Sequence, residues 1–270
     1  LAGDFECSTN GLLRIMSDSN QGDVDPTPPP PYREISDRLF GERLPVAIRF
    51  AELLMTDAVV RGLIGPREAP RIWERHLLNC AVITELIPQD ARVVDVGSGA
   101  GLPGIVLAVA RPDLSVILVE PLARRTAFLL EAVMALGLDR TTVVRARAEE
   151  CVPGRGVQRF ELADVVTARA VAPLDRLTAW CLPLVAKGGR VLALKGESAV
   201  EEIATHRDVI VGLGGTVPVI RQVGAADLDQ PTTVIEITRD RVVGKQSSAG
   251  PHGRRMRNGG ASRTGPRRRP

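Results

Sequence analysis

Residues 93–104, "VVDVGSGAGLPG", constrain this chain more than any other stretch. A short apolar run ends in an acid, four glycines follow from Gly97 to Gly104, and a second apolar run starts at Ile105. The pattern reads as a buried strand, a turn that needs backbone freedom, and a helix whose first turn tolerates Pro103. Glycine permits positive φ and lets a ligand approach the backbone with no Cβ in the way. A helix N-terminus just beyond offers unpaired N–H groups to an anionic group.

The rest of the chain repeats the alternation. "ARVVDVG", "SVILVEP", "TTVVRARAEE", "ADVVTARAV", "GRVLALKG", "TVPVIRQVG" and "TTVIEITRD" read as seven strands. Helical stretches "ARRTAFLLEAVMALG", "PLDRLTAWCLPLVAKGG" and residues 198–213 separate most of them. Such alternation predicts an α/β fold with a mainly parallel sheet and right-handed crossovers. From Glu34 to Ile87 apolar residues recur at helical spacing, interrupted at Gly62, Gly65 and Pro66, which predicts a helical N-terminal cap over 32–88.

Both ends are unlike the middle. Residues 17–31, "SDSNQGDVDPTPPPP", are polar and proline-rich, so residues 1–31 are expected to form a disordered extension, with Met16 a candidate start. Residues 244–270 carry eight Lys or Arg and no acid, which predicts a basic disordered tail. Without that tail the 35 bases fall to 27 against 32 acids, so residues 1–243 carry −5 while the whole chain carries +3. The basic balance belongs to the tail, which suits RNA phosphates or serves solubility alone. Residues 32–243 are enough for one well-packed domain.

Four cysteines, Cys7, Cys80, Cys151 and Cys181, form no C-x-x-C pair, and three histidines are far apart. Reduced thiols, a cytoplasmic location and no metal are therefore expected. No segment has the apolar run of a membrane span, and the N-terminus lacks the layout of a secretory signal.

Three readings compete for the glycine turn. "GAGLPG" satisfies G-x-G-x-x-G, and Glu120 follows at the distance where a dinucleotide fold places its ribose-binding acid. Alternatively, D-x-G-x-G-x-G from Asp95 to Gly101 forms an S-adenosylmethionine loop, with the same Glu120 on the ribose. A turn without ligand is the third. No second glycine loop follows, and the chain after strand five is too short for a substrate domain. The final strand pair suits a methyltransferase sheet with the last strand inserted antiparallel, and Glu149 stands where an adenine amino group would need an acceptor. These features favour the methyl donor over a nicotinamide cofactor.

The ordered set "ERHLLNC", "DVGSGAGLPGIVLAV", "RARAEE", "TARAVAPL" and "LALKG" resembles the RsmG (GidB) family over about Glu34 to Arg239. The resemblance implies a Rossmann-like class I methyltransferase using S-adenosyl-L-methionine, acting on guanine N7 in bacterial 16S ribosomal RNA or the small-subunit particle. A monomer is expected. Cys80 departs from the small hydroxyl residue expected after "HLLN", and the arginine-rich tail is no general family feature.

Asp95, Gly97, Gly99, Gly101 and Leu102 would then shape the methionine side of the pocket, Glu120 would bind ribose, and Ala148 and Glu149 would contact adenine. Arg169 matches a ligand-binding position and would serve cofactor and RNA, with a structural salt bridge as its alternative. Arg147 and Lys195 match positions needed for substrate handling, and a solvated base competes at each. Arg147, Lys195 and Arg169 are thus the candidate catalytic residues. "TARAVAP" after strand four differs from the polar-Pro-Pro-aromatic turn of enzymes acting on exocyclic amines, and Cys151 stays open as a nucleophile. His76 reads as a satisfied structural histidine, and Arg221 and Arg239 as an extension of a phosphate track. A nicotinamide-dependent oxidoreductase and a non-catalytic RNA-binding protein are the alternative functions.

Overall fold

The computed structural model describes residues 25–153, 161–169 and 171–243. The basic tail lies outside the described residues. Seven strands form one sheet in the order β3-β2-β1-β4-β5-β7-β6. They are β1 (Arg92–Val96), β2 (Ser115–Val119), β3 (Thr141–Val144), β4 (Ala163–Arg169), β5 (Val185–Lys195), β6 (Val219–Val223) and β7 (Thr232–Thr238). The first five pair in parallel, and β7 inserts antiparallel between β5 and β6, as expected of a methyltransferase sheet.

The cap contributes α1 (Arg33–Phe40), α2 (Leu44–Met55), α3 (Asp57–Val60) and α4 (Asn79–Ala81). α5 (Gly104–Ala110), α6 (Ala123–Ala135), α7 (Leu174–Cys181) and α8 (Ala199–Gly212) cross between strands. Alternation along β1 sends Val93 to one face and Val94 to the other, and each face has its own core. Phe50, Leu54, Leu77, Leu78 and Ile83 of the cap share a fully buried core with Ile105 and Leu107 of α5 and with Phe128 of α6. The cap is therefore fused to the sheet, and truncating one such leucine to alanine removes about 2–5 kcal/mol. No helix among the described residues is long and apolar enough to cross a membrane.

Four details depart from the sequence reading. β3 ends at Val144, because Glu120 N–H makes the last bond to Val144 O and β2 offers no further partner; the chain then turns at Ala148–Cys151. Pro183 ends the helix begun at Leu174, since it has no N–H to donate, and β5 starts at Val185. Within the cap, helical spacing does not give one regular helix: a π-helical turn at Trp73–Leu78 lies between a 3-10 turn and α4. The order also begins before residue 32: Pro28 is buried, and Trp73 Nε1 donates to Pro26 O at 2.9 Å. A buried indole N–H needs such a partner, so residues 25–31 belong with the cap rather than with a disordered extension.

Candidate functional site

Two cavities open at the carboxyl ends of the parallel strands, where ligands of open α/β sheets bind. The first, of about 570 Å³, lies against β1, β2 and the 145–150 turn. Gly97, Glu120, Arg147, Ala148 and Glu149 line it, with Val171 and Trp180 closing the far side. The volume lies in the range that encloses a nucleoside-sized cofactor.

The glycine loop is held by carboxylates from two directions. Asp95, fully buried, accepts from Gly104 N–H at 3.1 Å and from the Thr167 hydroxyl at 3.0 Å. Burial pushes its carboxyl up from the ordinary 3.8 to about 6 against these hydrogen bonds. Glu120, equally buried, accepts from Gly99 N–H and Leu122 N–H, both at 3.0 Å, and lies 3.7 Å from Arg125. Gly97, Gly99 and Gly101 all have positive φ. A Cβ on Gly97 would stand 2.3 Å from Val171, and one on Gly101 would stand 2.5 Å from Ile105.

Asp95, Gly99, Gly101 and Leu102 lie outside the cavity lining and support it from behind. Asp95 thus braces the loop through its backbone rather than facing the cavity. Ala148 is buried and Glu149 exposed at the cavity edge. Arg147 is exposed, and its backbone N–H is capped by Glu150 at 2.7 Å. These residues fit an adenosine: an apolar wall, a preset carboxylate at the end of β2, and a backbone that leaves room.

The second cavity, of about 460 Å³, lies between the ends of β4 and β5 and the cap. Glu68, Arg75, His76, Arg169, Lys195 and Thr232 are among its lining. Arg169 therefore belongs to this cavity, not to the first. Its Nη2 donates to His76 Nδ1 at 2.7 Å and to Arg75 O at 3.3 Å, and its Nη1 to Cys80 Sγ at 3.3 Å. Among the described residues no carboxylate pairs with it, as the salt-bridge alternative would require; the cap holds it. His76 Nε2 lies 3.1 Å from Glu68. Burial, aided by Arg169, lowers the His76 imidazole to about 4. The histidine expected as structural thus contacts the key arginine, and Glu68 had no sequence signal at all.

Expected roles change at Lys195, Arg239, Arg221 and Cys151. Lys195 Nζ donates to Ala172 O at 2.8 Å and Glu202 at 2.7 Å, and its side chain is 8% exposed, so the ammonium pins the 171–173 loop to α8. Arg239 is buried and donates to Pro183 O and Val185 O, a core staple rather than part of a phosphate track. Arg221 pairs with Glu236 at 2.9 Å on the edge of the sheet. Cys151 is buried, and burial with Glu150 and Glu149 pushes its thiol up to about 11, which removes it as a thiolate nucleophile. Trp73 is sealed against Phe40 in the cap, whereas Trp180 stands at the first cavity.

The family model for rRNA small subunit methyltransferase G (GidB) matches residues 43–229. This chain belongs to that family. It is 64% identical over 224 residues to the Ribosomal RNA small subunit methyltransferase G of Salinispora arenicola, covering 82% of this chain and 92% of that protein. It is 52% identical to the protein of the same name from Thermobifida fusca, covering 85% and 94%. Among solved structures, a putative S-adenosyl-L-methionine-dependent methyltransferase from Methanococcus maripaludis aligns with a TM-score of 0.49 at 14% identity, over 72% of this chain and 92% of that one.

Proposed function

We propose that this protein transfers the methyl group of S-adenosyl-L-methionine to N7 of one guanine in the 16S RNA of the small ribosomal subunit. The observation that carries it is the pair of cavities along one sheet edge: a cofactor-sized one under the glycine loop, and a second one beside it holding Arg169. Family membership and the single glycine loop favour this reading over a nicotinamide oxidoreductase or a non-catalytic RNA-binding protein.

Bound in the first cavity, S-adenosylmethionine would supply an electrophilic sulfonium methyl; the N7 lone pair would form the new carbon–nitrogen bond while the carbon–sulfur pair leaves on sulfur. N7 carries no proton, so no general base is required. The chain's tasks are alignment and a matched field. Glu120 would accept from ribose hydroxyls, Ala148 would pack on adenine, and Glu149 would accept from its amino group; all three line the first cavity. Gly97, Gly99, Gly101 and Leu102 shape the methionine side, with Asp95 bracing them. Arg169 stands at the end of β4 as a donor to guanine O6, the acceptor next to N7. Arg147 is exposed at the rim for an RNA phosphate, and Lys195 positions the loop between the cavities. The tail beyond residue 243 adds sequence-independent phosphate contacts. The protein acts in the cytoplasm as a monomer.

Calorimetry of the purified chain with S-adenosylmethionine and with NAD tests the cofactor, and labelled transfer to small-subunit RNA followed by nucleoside digestion tests the product. Binding of the methyl donor alone, with label in N7-methylguanosine, is expected. NAD binding, or label in another nucleoside, would refute the proposal.

A further inference from the structure

The contacts around His76 have a fixed direction. A guanidinium has five N–H donors, no acceptor and a permanent charge. At 2.7 Å from Arg169 Nη2, His76 Nδ1 must therefore present its lone pair. The ring proton then sits on Nε2, where it faces Glu68 Oε2 at 3.1 Å. Glu68 also accepts from Arg75 at 3.2 Å, and Arg75 gives its backbone carbonyl to Arg169. The π-helical turn at Trp73–Leu78 carries both Arg75 and His76, and such turns concentrate at functional sites. His76 is buried while Glu68 is one-third exposed, so the chain of contacts runs from solvent inward to the arginine. Among the described residues, these contacts occupy three of the five Arg169 N–H groups, which leaves the others for the cavity.

We propose that Glu68 and His76 form a positioning relay that fixes the Arg169 guanidinium over the site of methyl transfer. The relay rests on the function proposed above. His76 touches no reacting atom; it acts through Arg169. A long arginine left to itself samples many rotamers, whereas one held at its tip by an oriented acceptor presents its remaining donors in one geometry. The neutral imidazole is the form the relay needs, because an imidazolium would turn Nδ1 into a donor facing a cation.

Single-turnover methylation of small-subunit particles from cells lacking this protein is the test, with His76→Leu, His76→Asn, Glu68→Ala, Arg169→Ala and the His76→Leu/Arg169→Ala double variant. The full-length chain is used throughout. At saturating RNA, His76→Leu is expected to be slower by about tenfold or more, the scale of losing a hydrogen bond to a charged group. S-adenosylmethionine affinity should stay within about twofold. The double variant should be no slower than Arg169→Ala, since both changes remove one unit. His76→Asn, whose amide oxygen can accept in place of Nδ1, should recover most of the rate. Glu68→Ala changes a surface residue that folding tolerates, so it keeps the test sharp if His76→Leu fails to fold; a severalfold loss is expected. Wild-type rates in His76→Leu or Glu68→Ala, or additive losses in the double variant, would overturn the relay.

Imidazole nitrogen NMR of the unliganded protein near neutral pH reads the relay without activity: Nε2 should carry the proton and Nδ1 should be bare. A proton on Nδ1 would overturn it equally. If the wild type methylates no RNA while this tautomer is seen, the functional reading falls and the relay's part in methyl transfer falls with it, leaving only the His76–Arg169 contact.

Discussion

The cavity beside Gly97 takes most of its wall from short spans of chain, at 96–97, 119–125 and 145–150, whereas the one beside Arg169 draws on residues from 68 to 233. The first is shaped chiefly by backbone: glycines at positive φ, with Asp95 and Glu120 accepting from loop N–H groups. The second is shaped by side chains, and its main contact joins residues 93 apart in sequence. A methyl donor is the same molecule for every enzyme that uses it, so a local, rigid backbone site suffices. On the proposed function, a particular guanine in folded RNA would need a surface assembled from separate elements, and the second cavity joins the cap to the ends of β4 and β5.

Breaking the first region should have the largest effect. In Gly97→Ala the new Cβ would overlap Val171, and the backbone there has φ +72°, so the loop must move. Cofactor affinity by calorimetry should fall about 100-fold or more. Gly99→Ala sharpens the point, because its Cβ would meet only Gly97 O at 3.8 Å. That variant should lose about 1 kcal/mol of stability from its positive φ and any larger loss should appear only in cofactor binding.

Breaking the second region should leave the cofactor alone. Arg169→Ala should bind S-adenosylmethionine within about twofold of wild type and transfer methyl to RNA at least about tenfold more slowly at saturating RNA. Equal losses in both would merge the two regions into one site.

Asp95 affects stability rather than transfer, and its contribution depends on pH. Its folded carboxyl sits at about 6, above the ordinary 3.8, so protonation favours the folded state. That contribution is full below about pH 4 and is lost as pH rises through about 6. Asp95→Asn can keep both contacts, since the Thr167 hydroxyl can turn to accept from the amide. Denaturant unfolding should therefore show the variant gaining about 2–3 kcal/mol on wild type between pH 4 and pH 7. A parallel pH dependence for the two proteins would contradict the buried, desolvated carboxylate.

The contrast also explains what the sequence disclosed. The succession of strands along the chain, the glycine loop and Glu120 follow from local patterns: valine runs, glycine spacing and an acid 21 residues beyond Gly99; the inserted last strand was expected only from what a methyltransferase sheet needs. Arg169 and His76 were both visible, but nothing local joins β4 to a π-helical turn, and that contact determines what Arg169 does. Glu68 lies in a stretch with no motif. Lys195, read as a substrate-handling or solvated base, and Arg239, read as part of a phosphate track, prove to be anchors, because only packing shows that Glu202 and the Val185 carbonyl stand within reach. The strand read through "RARAEE" failed for a related reason: the alternation of small apolar and charged residues continues past Val144, while its partner strand does not.

The smallest effect is expected from the tail. Deleting residues 244–270 should leave cofactor affinity and the methylated base unchanged, while RNA affinity falls and its dependence on salt flattens. Loss of turnover at saturating RNA would give the tail a part in the chemistry.

The central claim is that one guanine of small-subunit RNA receives its N7 methyl from this protein. Mass-spectrometric mapping of 16S RNA from cells lacking it, and from the same cells carrying the wild type or Gly97→Ala, tests that claim directly. The account predicts one N7-methylguanine that disappears with the gene, returns with the wild type and stays absent or strongly reduced with Gly97→Ala. An identical methylation map in all three would contradict it.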